Sequence, residues 1–394
     1  MQDRPVIRLR PGKGGRLKRG APWTFADEIV MDRRTRAIAP GSIVRLEDEA
    51  RTPIATAAFN PGSRIVARLL DPDPEARIGP DWLRARLKRA AALRHALVDA
   101  PPFRLVHAEA DGLPGVVVDH FGPAAVIQPN AAWADLMAGD LAAAVAEITG
   151  VETVVINGQG RARGLEGLEP RMEVVLGAAP APIAVEMNGA VYMADLTGGQ
   201  KTGLFFDQRP NHAFAAGLAR GARVLDVFSH VGGFSLAALA AGAAGALAID
   251  GSAPALALAR GGAEKTGVSD RFETRKADAF EALAGLQAEG ARFDMVICDP
   301  PAFAPSKQAL EGGLRAYERI ARLAAPLVAE GGILALCSCS HAADLGRFRA
   351  ACLRGIGRAG RAGPLIHTGF AGPDHPQHPH LAETAYLKAL FFRL

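Results

Sequence analysis

Cysteine is scarce in this chain: four residues in 394, all after residue 297 (Cys298, Cys337, Cys339 and Cys352). Four are too few to staple a chain of this length. Cys337 and Cys339 stand only two apart, a spacing that seldom meets disulfide geometry. Reduced thiols, and with them a cytoplasmic protein, are expected. Charge imbalance is missing too: a net +4 with 49% hydrophobic residues excludes disorder. No apolar run follows the basic N-terminus, so no signal peptide is expected. The longest uncharged stretch, 227–249, is broken by Ser229, His230, Ser235 and repeated glycines. It reads as a soluble helix and a strand, not as a membrane span. Internal repeats and low-complexity tracts are absent as well.

What is present begins with glycine (44) and proline (27), in excess but without a fixed period. That pattern means many turns, and the length means two or three domains. Basic charge gathers at the start: Arg4, Arg8, Arg10, Lys13, Arg16, Lys18 and Arg19, interleaved with Gly12, Gly14, Gly15 and Gly20. The segment reads as a basic arm, either following a phosphate backbone or simply solvated. Short β-like runs at Ser42–Glu47, Ile54–Phe59 and Ile65–Leu70 predict a small β barrel. Asp71-Pro72-Asp73-Pro74 reads as a linker. A helix over Trp82–Leu97 comes next. Strands at Phe103–His107, Gly115–Asp119 and Ala124–Gln128 follow it, then a helix over Trp133–Ile148. Further strands at Thr153–Asn157, Glu173–Leu176, Ile183–Glu186 and Ala190–Ala194 complete an α+β middle region. From Ala222, apolar strands alternate with helices (Val224–Phe228, Ala246–Ile249, Arg271–Lys276, Met295–Cys298, Ile333–Cys337). Such repeats predict a parallel sheet covered on both faces.

Ligands of open α/β sheets bind outside the carboxyl ends of the strands. The first of these strands runs into Asp226-Val227-Phe228-Ser229-His230-Val231-Gly232-Gly233, where two glycines allow close backbone approach. G-x-G-x-x-G is lacking, and Asp226 stands where its first glycine would be. A carboxylate there repels a pyrophosphate and suits a cationic ligand, such as the amino group or sulfonium of S-adenosylmethionine. Asp250 ends the second strand and can accept from ribose hydroxyls. Asp278-Ala279-Phe280 after the third can meet an adenine edge and face. Gly198–Gly203 resembles a phosphate loop but lacks its spacing.

The fourth strand ends in Asp299-Pro300-Pro301-Ala302-Phe303. The prolines fix the backbone as it leaves the sheet, the aromatic ring can stack on a planar base, and the carboxylate can bond its edge. Ser338-Cys339-Ser340 ends the fifth strand, expected beside the fourth. Cytosine C5 is a poor nucleophile. A thiolate adding to C6 makes C5 carbanion-like, and later leaves once a base has taken the C5 proton. Cys339 is the expected nucleophile, its ionisation favoured by the N-terminus of the following helix. Cys298, Cys337 and Cys352 are read as buried small hydrophobes. His375, His378 and His380 are assigned to a loop or substrate contact, with no metal site expected.

Together these motifs resemble the bacterial large-subunit rRNA (cytosine-C5) methyltransferases of the RlmI type. The resemblance covers essentially the whole chain, and its most specific stretch is Gly199-Gln200-Lys201-Thr202-Gly203-Leu204-Phe205-Phe206-Asp207-Gln208-Arg209-Pro210-Asn211. It implies a small β-barrel PUA-like RNA-binding domain over 1–72 and an α+β linking domain over 73–195. Over 196–394 it implies a Rossmann-like class I methyltransferase domain with a mostly parallel sheet. S-adenosylmethionine is the implied cofactor, held by Gln208, Arg209, Asp226, Phe228, Ser229, Gly232, Gly233, Asp250, Asp278, Ala279 and Asp299. Cys339 and Asp299 are the implied catalytic pair. Phe303, Lys307, Arg8, Arg10, Lys13, Arg16, Lys18 and Arg19 are assigned to RNA. Asp374-His375-Pro376 and Tyr386-Leu387-Lys388 match the family's C-terminal end.

The sequence departs from the family at His212, where arginine is usual, and at Gly262, where asparagine follows the second strand's acid. Related enzymes carry a second cysteine directly after D-P-P and release the RNA with it; Ala302 stands there. The expected partner is 23S rRNA or a ribosomal assembly intermediate, with no membrane partner. Oligomeric state stays open, a homodimer included. Two rival functions remain: methylation of another RNA position, an exocyclic amine or a small molecule, and a non-catalytic RNA-binding or ribosome-assembly module.

Overall fold

The computed structural model describes residues 4–98, 100–178, 182–198 and 203–394. The chain forms two compact units: Met1–Ala181 with Leu196–Gly203 and Pro373–Leu381, and Pro182–Asp195 with Leu204–Gly372 and Ala382–Leu394. Of the motif preceding the first strand of the second unit, Gly199, Gln200, Lys201 and Thr202 lie outside the described residues.

In the first unit the N-terminal segment is not an arm. Val6–Arg8 pairs in parallel with Ser42–Glu47, which continues through Pro53–Phe59 and Ala67–Asp71 to Trp23–Thr24 in a five-stranded sheet. The reason is visible in the sequence. Ile7 and Leu9 alternate with Arg8 and Arg10, so one face is apolar and the other basic. Ile7 and Leu9 enter a core with Ile29, Val44, Leu46 and Phe59. The basic side chains are turned outward: Arg10, Lys13, Arg16, Lys18 and Arg19 are exposed. Three have acidic neighbours: Arg8 with Glu47 (3.6 Å), Lys13 with Asp27 (3.7 Å) and Lys18 with Asp48 (3.5 Å). Asp71, at the stretch read as a linker, is tied down. Its Oδ2 accepts from Trp82 Nε1 and Arg86 Nη2, each at 2.8 Å.

A second five-stranded sheet runs Arg171–Leu176, Thr153–Gly158, Ala124–Pro129, Val116–His120 and Phe103–His107. Helix Pro80–Leu97 packs on it. The single helix expected over Trp133–Ile148 is two, Ala132–Leu136 and Ala138–Thr149, parted at Met137 (φ −101°, ψ 16°). The Asp374-His375-Pro376 motif is buried in this unit. Arg94, with no exposed surface, donates through Nη2 to Asp111 Oδ2 (2.8 Å) and to the Asp374 carbonyl (2.9 Å). Asp374 in turn accepts from the Arg104 amide (3.0 Å) and lies 3.0 Å from His375 Nδ1. An Arg94→Met exchange leaves the Asp111 carboxylate buried without its cation. It should cost about 3–5 kcal/mol in a urea melt.

The second unit is built around one seven-stranded sheet. Its sheet contains β1 (Arg223–Val227), β2 (Gly245–Asp250), β3 (Phe272–Lys276), β4 (Phe293–Cys298), β5 (Val328–Ser338), β6 (Leu365–Gly369) and β7 (Lys388–Arg393), in the order β3-β2-β1-β4-β5-β7-β6. The helices are α1 (Arg209–Gly217), α2 (Gly233–Ala240), α3 (Ala253–Thr266), α4 (Ala279–Ala288), α5 (Leu310–Ala324) and α6 (Leu345–Arg358). The first five strands are parallel and β7 is antiparallel to both neighbours. Strand β7 carries no period of two, because Ala389, Leu390, Phe391 and Phe392 are all buried. Strand order reverses between β1 and β4, which sets the ligand edge there.

The hairpin Ile183–Met187/Ala190–Ala194, read with the middle region, groups with this second unit. Its turn is Asn188-Gly189, both at positive φ (53° and 76°). The departure at Gly262 has its explanation here. A Cβ at that position would lie 2.8 Å from the Val191 carbonyl oxygen, so glycine lets α3 press against the hairpin. Among the described residues no helix is long and apolar enough to cross a membrane.

Candidate active site

The loop after β1 is built on unusual backbone. Phe228 (φ 65°), His230 (φ 50°) and Gly232 (φ 80°) all sit at positive φ, and two of them are not glycine. Strain of this kind persists where surrounding structure enforces it. Asp226 is buried at the end of β1. Its Oδ2 accepts from the Ser235 amide (2.9 Å) and hydroxyl (2.6 Å), tying α2 to the strand. Among the described residues its Oδ1 is buried without a hydrogen-bond partner, and so is Ser229 Oγ in the same loop. Burial pushes the Asp226 pKa up to about 6, with Asp250 adding to the rise and Ser235 opposing it. A buried carboxylate oxygen lacking a donor is a site prepared for one.

Asp250 closes β2, where its carboxylate takes the His230 amide on Oδ2 and the Ser252 amide on Oδ1, both at 2.8 Å. Asp278 caps α4 through the Phe280 and Glu281 amides (2.9 and 3.1 Å). Phe280 carries the Arg319 guanidinium 4.5 Å from its ring centroid. Three acids thus stand at the ends of β1, β2 and β3 in sheet order.

Asp299 leaves β4 with its amide on the Val227 carbonyl (3.2 Å). Gln208 donates to its Oδ2 (2.9 Å), and Asn211 donates to Gln208 Oε1 (2.6 Å). Gln208, expected at the cofactor, therefore orients Asp299. Arg209 opens α1, and its carbonyl accepts from Asn188 Nδ2 (2.9 Å). Gly369 must lack a side chain, because a Cβ would meet Asn211 Oδ1 at 1.9 Å. His212 packs its ring on Phe234 (4.4 Å), and a Cβ on Gly233 would strike that ring at 2.7 Å. Burial lowers the His212 pKa to about 3, so the ring is neutral where the family's arginine would be charged.

Phe303 is half-buried beside Tyr317 (5.1 Å between centroids), Phe280 (6.3 Å) and Phe228 (6.4 Å). Lys307 is exposed in the turn before α5. The loop after β5 meets this one through Ser340, whose Oγ accepts from the Ala304 amide (2.9 Å) and shares a 2.7 Å hydrogen bond with Tyr317 Oη. Ser338 Oγ donates to the same phenol (2.9 Å). Cys339 is half-buried between the two serines, its Sγ 4.0 Å from the Pro300 carbonyl oxygen. Cys298, Cys337 and Cys352 are fully buried, and burial pushes each of those thiols up.

The structure brings Asp299, Phe303 and Cys339 to one edge as the motifs require. The N-terminus of α6 does not serve Cys339. That helix begins at Leu345, and Asp344 already caps it by accepting from the Arg347 amide (2.9 Å). Tyr317, Asn211 and Lys388 stand around these loops without a site role in the sequence reading: Tyr317 and Lys388 lie 21 and 48 residues from Ser338 and Ser340, and Asn211, three residues from Gln208, carries no spacing that marks it. Lys388 Nζ donates to the Ser340 and Ala343 carbonyls (2.7 and 2.8 Å). Among the described residues no three histidine, cysteine or acidic side chains are grouped to hold a metal ion.

Comparison with known proteins places the chain. A family model described as S-adenosylmethionine-dependent methyltransferase matches residues 172–393, and one described as PUA-like domain matches residues 7–72. The Ribosomal RNA large subunit methyltransferase I of Shewanella denitrificans is 33% identical, over 98% of this chain and 99% of its own. The Ribosomal RNA large subunit methyltransferase of Deinococcus radiodurans is 33% identical, over 99% and 98%. The crystal structure of SMU.776 complexed with SAH superposes with a TM-score of 0.83 at 19% identity, covering 99% of this chain and all of that one.

Proposed function

The chain belongs to the S-adenosylmethionine-dependent methyltransferases related to ribosomal RNA large subunit methyltransferase I, and from that membership we propose that it methylates C5 of a cytosine in large-subunit rRNA through a covalent cysteine adduct. The residues at the strand ends fit the cofactor. Asp226 Oδ1 and Ser229 Oγ are buried acceptors lacking a donor, matching a cationic amino group. Asp250 suits ribose hydroxyls, while Asp278, Ala279 and Phe280 suit the adenine ring. When bound, S-adenosylmethionine supplies an electrophilic methyl group.

The observation that carries the acceptor assignment is Cys339. It alone of the four thiols is partly exposed, and it stands beside the Asp299-Pro300-Pro301-Ala302-Phe303 loop. In the proposed reaction the cytosine is flipped from its stack, its ring lies on Phe303, and Asp299 accepts from its exocyclic amine. The Cys339 thiolate forms a bond to C6 and the electron pair moves to C5. After C5 is methylated, a base removes its proton and the C6–S bond breaks, restoring the ring. Exposed Arg10, Lys13, Arg16, Lys18 and Arg19, with half-buried Arg8, are proposed to hold the RNA backbone. We assign the protein to the cytoplasm, where its four cysteines would stay reduced.

Nucleoside mass spectrometry of rRNA from a wild-type and a deletion strain tests the assignment. Loss of one 5-methylcytidine supports it. Loss of a methylated amine or of another position instead would select the rival acceptor, and unaltered modification the non-catalytic role. Gln208 contributes by holding Asp299. Gln208→Leu should lower kcat by about 10- to 100-fold, the worth of a hydrogen bond to a charged group, with cofactor affinity in calorimetry changed by less than about twofold.

A further inference from the structure

Lys388 opens β7 with only 4% of its surface exposed. Across the antiparallel β5–β7 pair its register partner is Ser338, the residue before Cys339. Its ammonium donates to the Ser340 and Ala343 carbonyls, which belong to the loop that carries Cys339. Among the described residues no carboxylate lies within ion-pair distance of it. A buried charge held only by neutral carbonyls is expensive. Tying a loop needs donors, not a full charge, so the charge itself calls for a role.

The groups around Lys388 narrow that role. On β5, Cys337 is fully buried, and its thiol is pushed far up. On α5, the Tyr317 hydroxyl is engaged between Ser338 and Ser340. On β6, the His367 ring stacks on Phe214 at 3.9 Å. His341 is exposed in the loop. Asp344 is exposed, caps α6 and pairs with Arg347 (3.6 Å). Asp299 on the neighbouring loop takes Gln208. Cys339 is the half-buried group whose ionised form would balance the ammonium.

We infer that Lys388 is a positioning residue for Cys339: it fixes the loop that presents the thiol and supplies the positive charge that favours the thiolate. A cation near a thiol stabilises its ionised form. Burial lowers the pKa of Lys388 itself to about 8, while Cys339 and Asp344 act to raise it. The ammonium is therefore in place at neutral pH and lost as pH rises through about 8. This replaces the helix terminus that the sequence suggested.

The catalytic meaning rests on Cys339 being the nucleophile, but the test does not. The pH dependence of iodoacetamide alkylation at Cys339 is followed by peptide mass spectrometry on the full chain. Lys388→Met should move the midpoint up by about one unit and slow alkylation at pH 7 about tenfold, with Lys388→Arg recovering most of it. Cofactor binding checks that the variants are folded. An unchanged profile in folded Lys388→Met overturns the inference. Should that variant not fold, Cys339→Ser supplies the reciprocal measurement. The Lys388 ammonium, followed by NMR of labelled lysine, should titrate lower than in the wild type, and an unmoved titration overturns it. If Cys339→Ala retains full methylation, the covalent mechanism falls while the alkylation profile still reports on Lys388.

Discussion

Cys339→Ala should abolish methyl transfer, by at least about a thousandfold in kcat, while cofactor affinity stays within about twofold. The loss is large because no neighbouring group can take over. Cys337 is only 1% exposed and its thiol is pushed far up by burial, and the other two cysteines are fully buried. Without addition at C6, C5 lacks the electron density to accept a methyl group. Affinity is spared because the acids proposed for the cofactor stand at β1, β2 and β3, whereas Cys339 follows β5. Rapid-quench turnover with an rRNA fragment reads the first effect and calorimetry the second. RNA carrying 5-fluorocytosine at the target should form a covalent complex with the wild type and none with the variant, since fluorine cannot leave as a proton does. Substantial turnover by Cys339→Ala would sink the covalent mechanism.

The second large effect belongs to Asp226→Asn, and it has two opposite signs. Cofactor affinity should fall about 100-fold, because a buried carboxylate proposed to face the cofactor's cationic amino group is replaced by a neutral amide. Stability without cofactor should rise. The folded-state pKa is about 6 against an ordinary 3.8, so the fold prefers the protonated form. Keeping the carboxylate ionised therefore costs stability above pH 6, and the cost disappears as pH falls from about 6 towards 3.8. At pH 7 that cost is about 3 kcal/mol at most. Asn can still accept from Ser235, so a gain of about 1–3 kcal/mol in a denaturant melt at pH 7 is expected, shrinking to nothing near pH 4. The same titration predicts that wild-type cofactor affinity drops below pH 6 and that the variant's does not. A destabilised Asp226→Asn protein would show that the Ser235 bonds, not burial, dominate at this site.

What could be read from the sequence was what is local or periodic. Four of the five parallel strands were legible by their short apolar runs, and β3, whose sequence Phe272-Glu273-Thr274-Arg275-Lys276 is mostly polar, by its place in the alternation of strands and helices. Their terminal acids and Cys339 were legible because a strand's end fixes where the next residue projects. Tertiary structure decided the rest. The basic segment became an edge strand because Ile7 and Leu9 found a core to enter. Asp374 and His375 were taken into the first unit by Arg94, 280 residues away in the chain. Lys388 came to rest under the Cys339 loop, 48 residues from its acceptor at Ser340, because β7 runs antiparallel to β5. Composition and spacing set which chemistry the chain can carry. Long-range pairing and burial set which carboxylate is left without a donor and which thiol has a cation beside it, because both depend on groups the chain brings together only when folded.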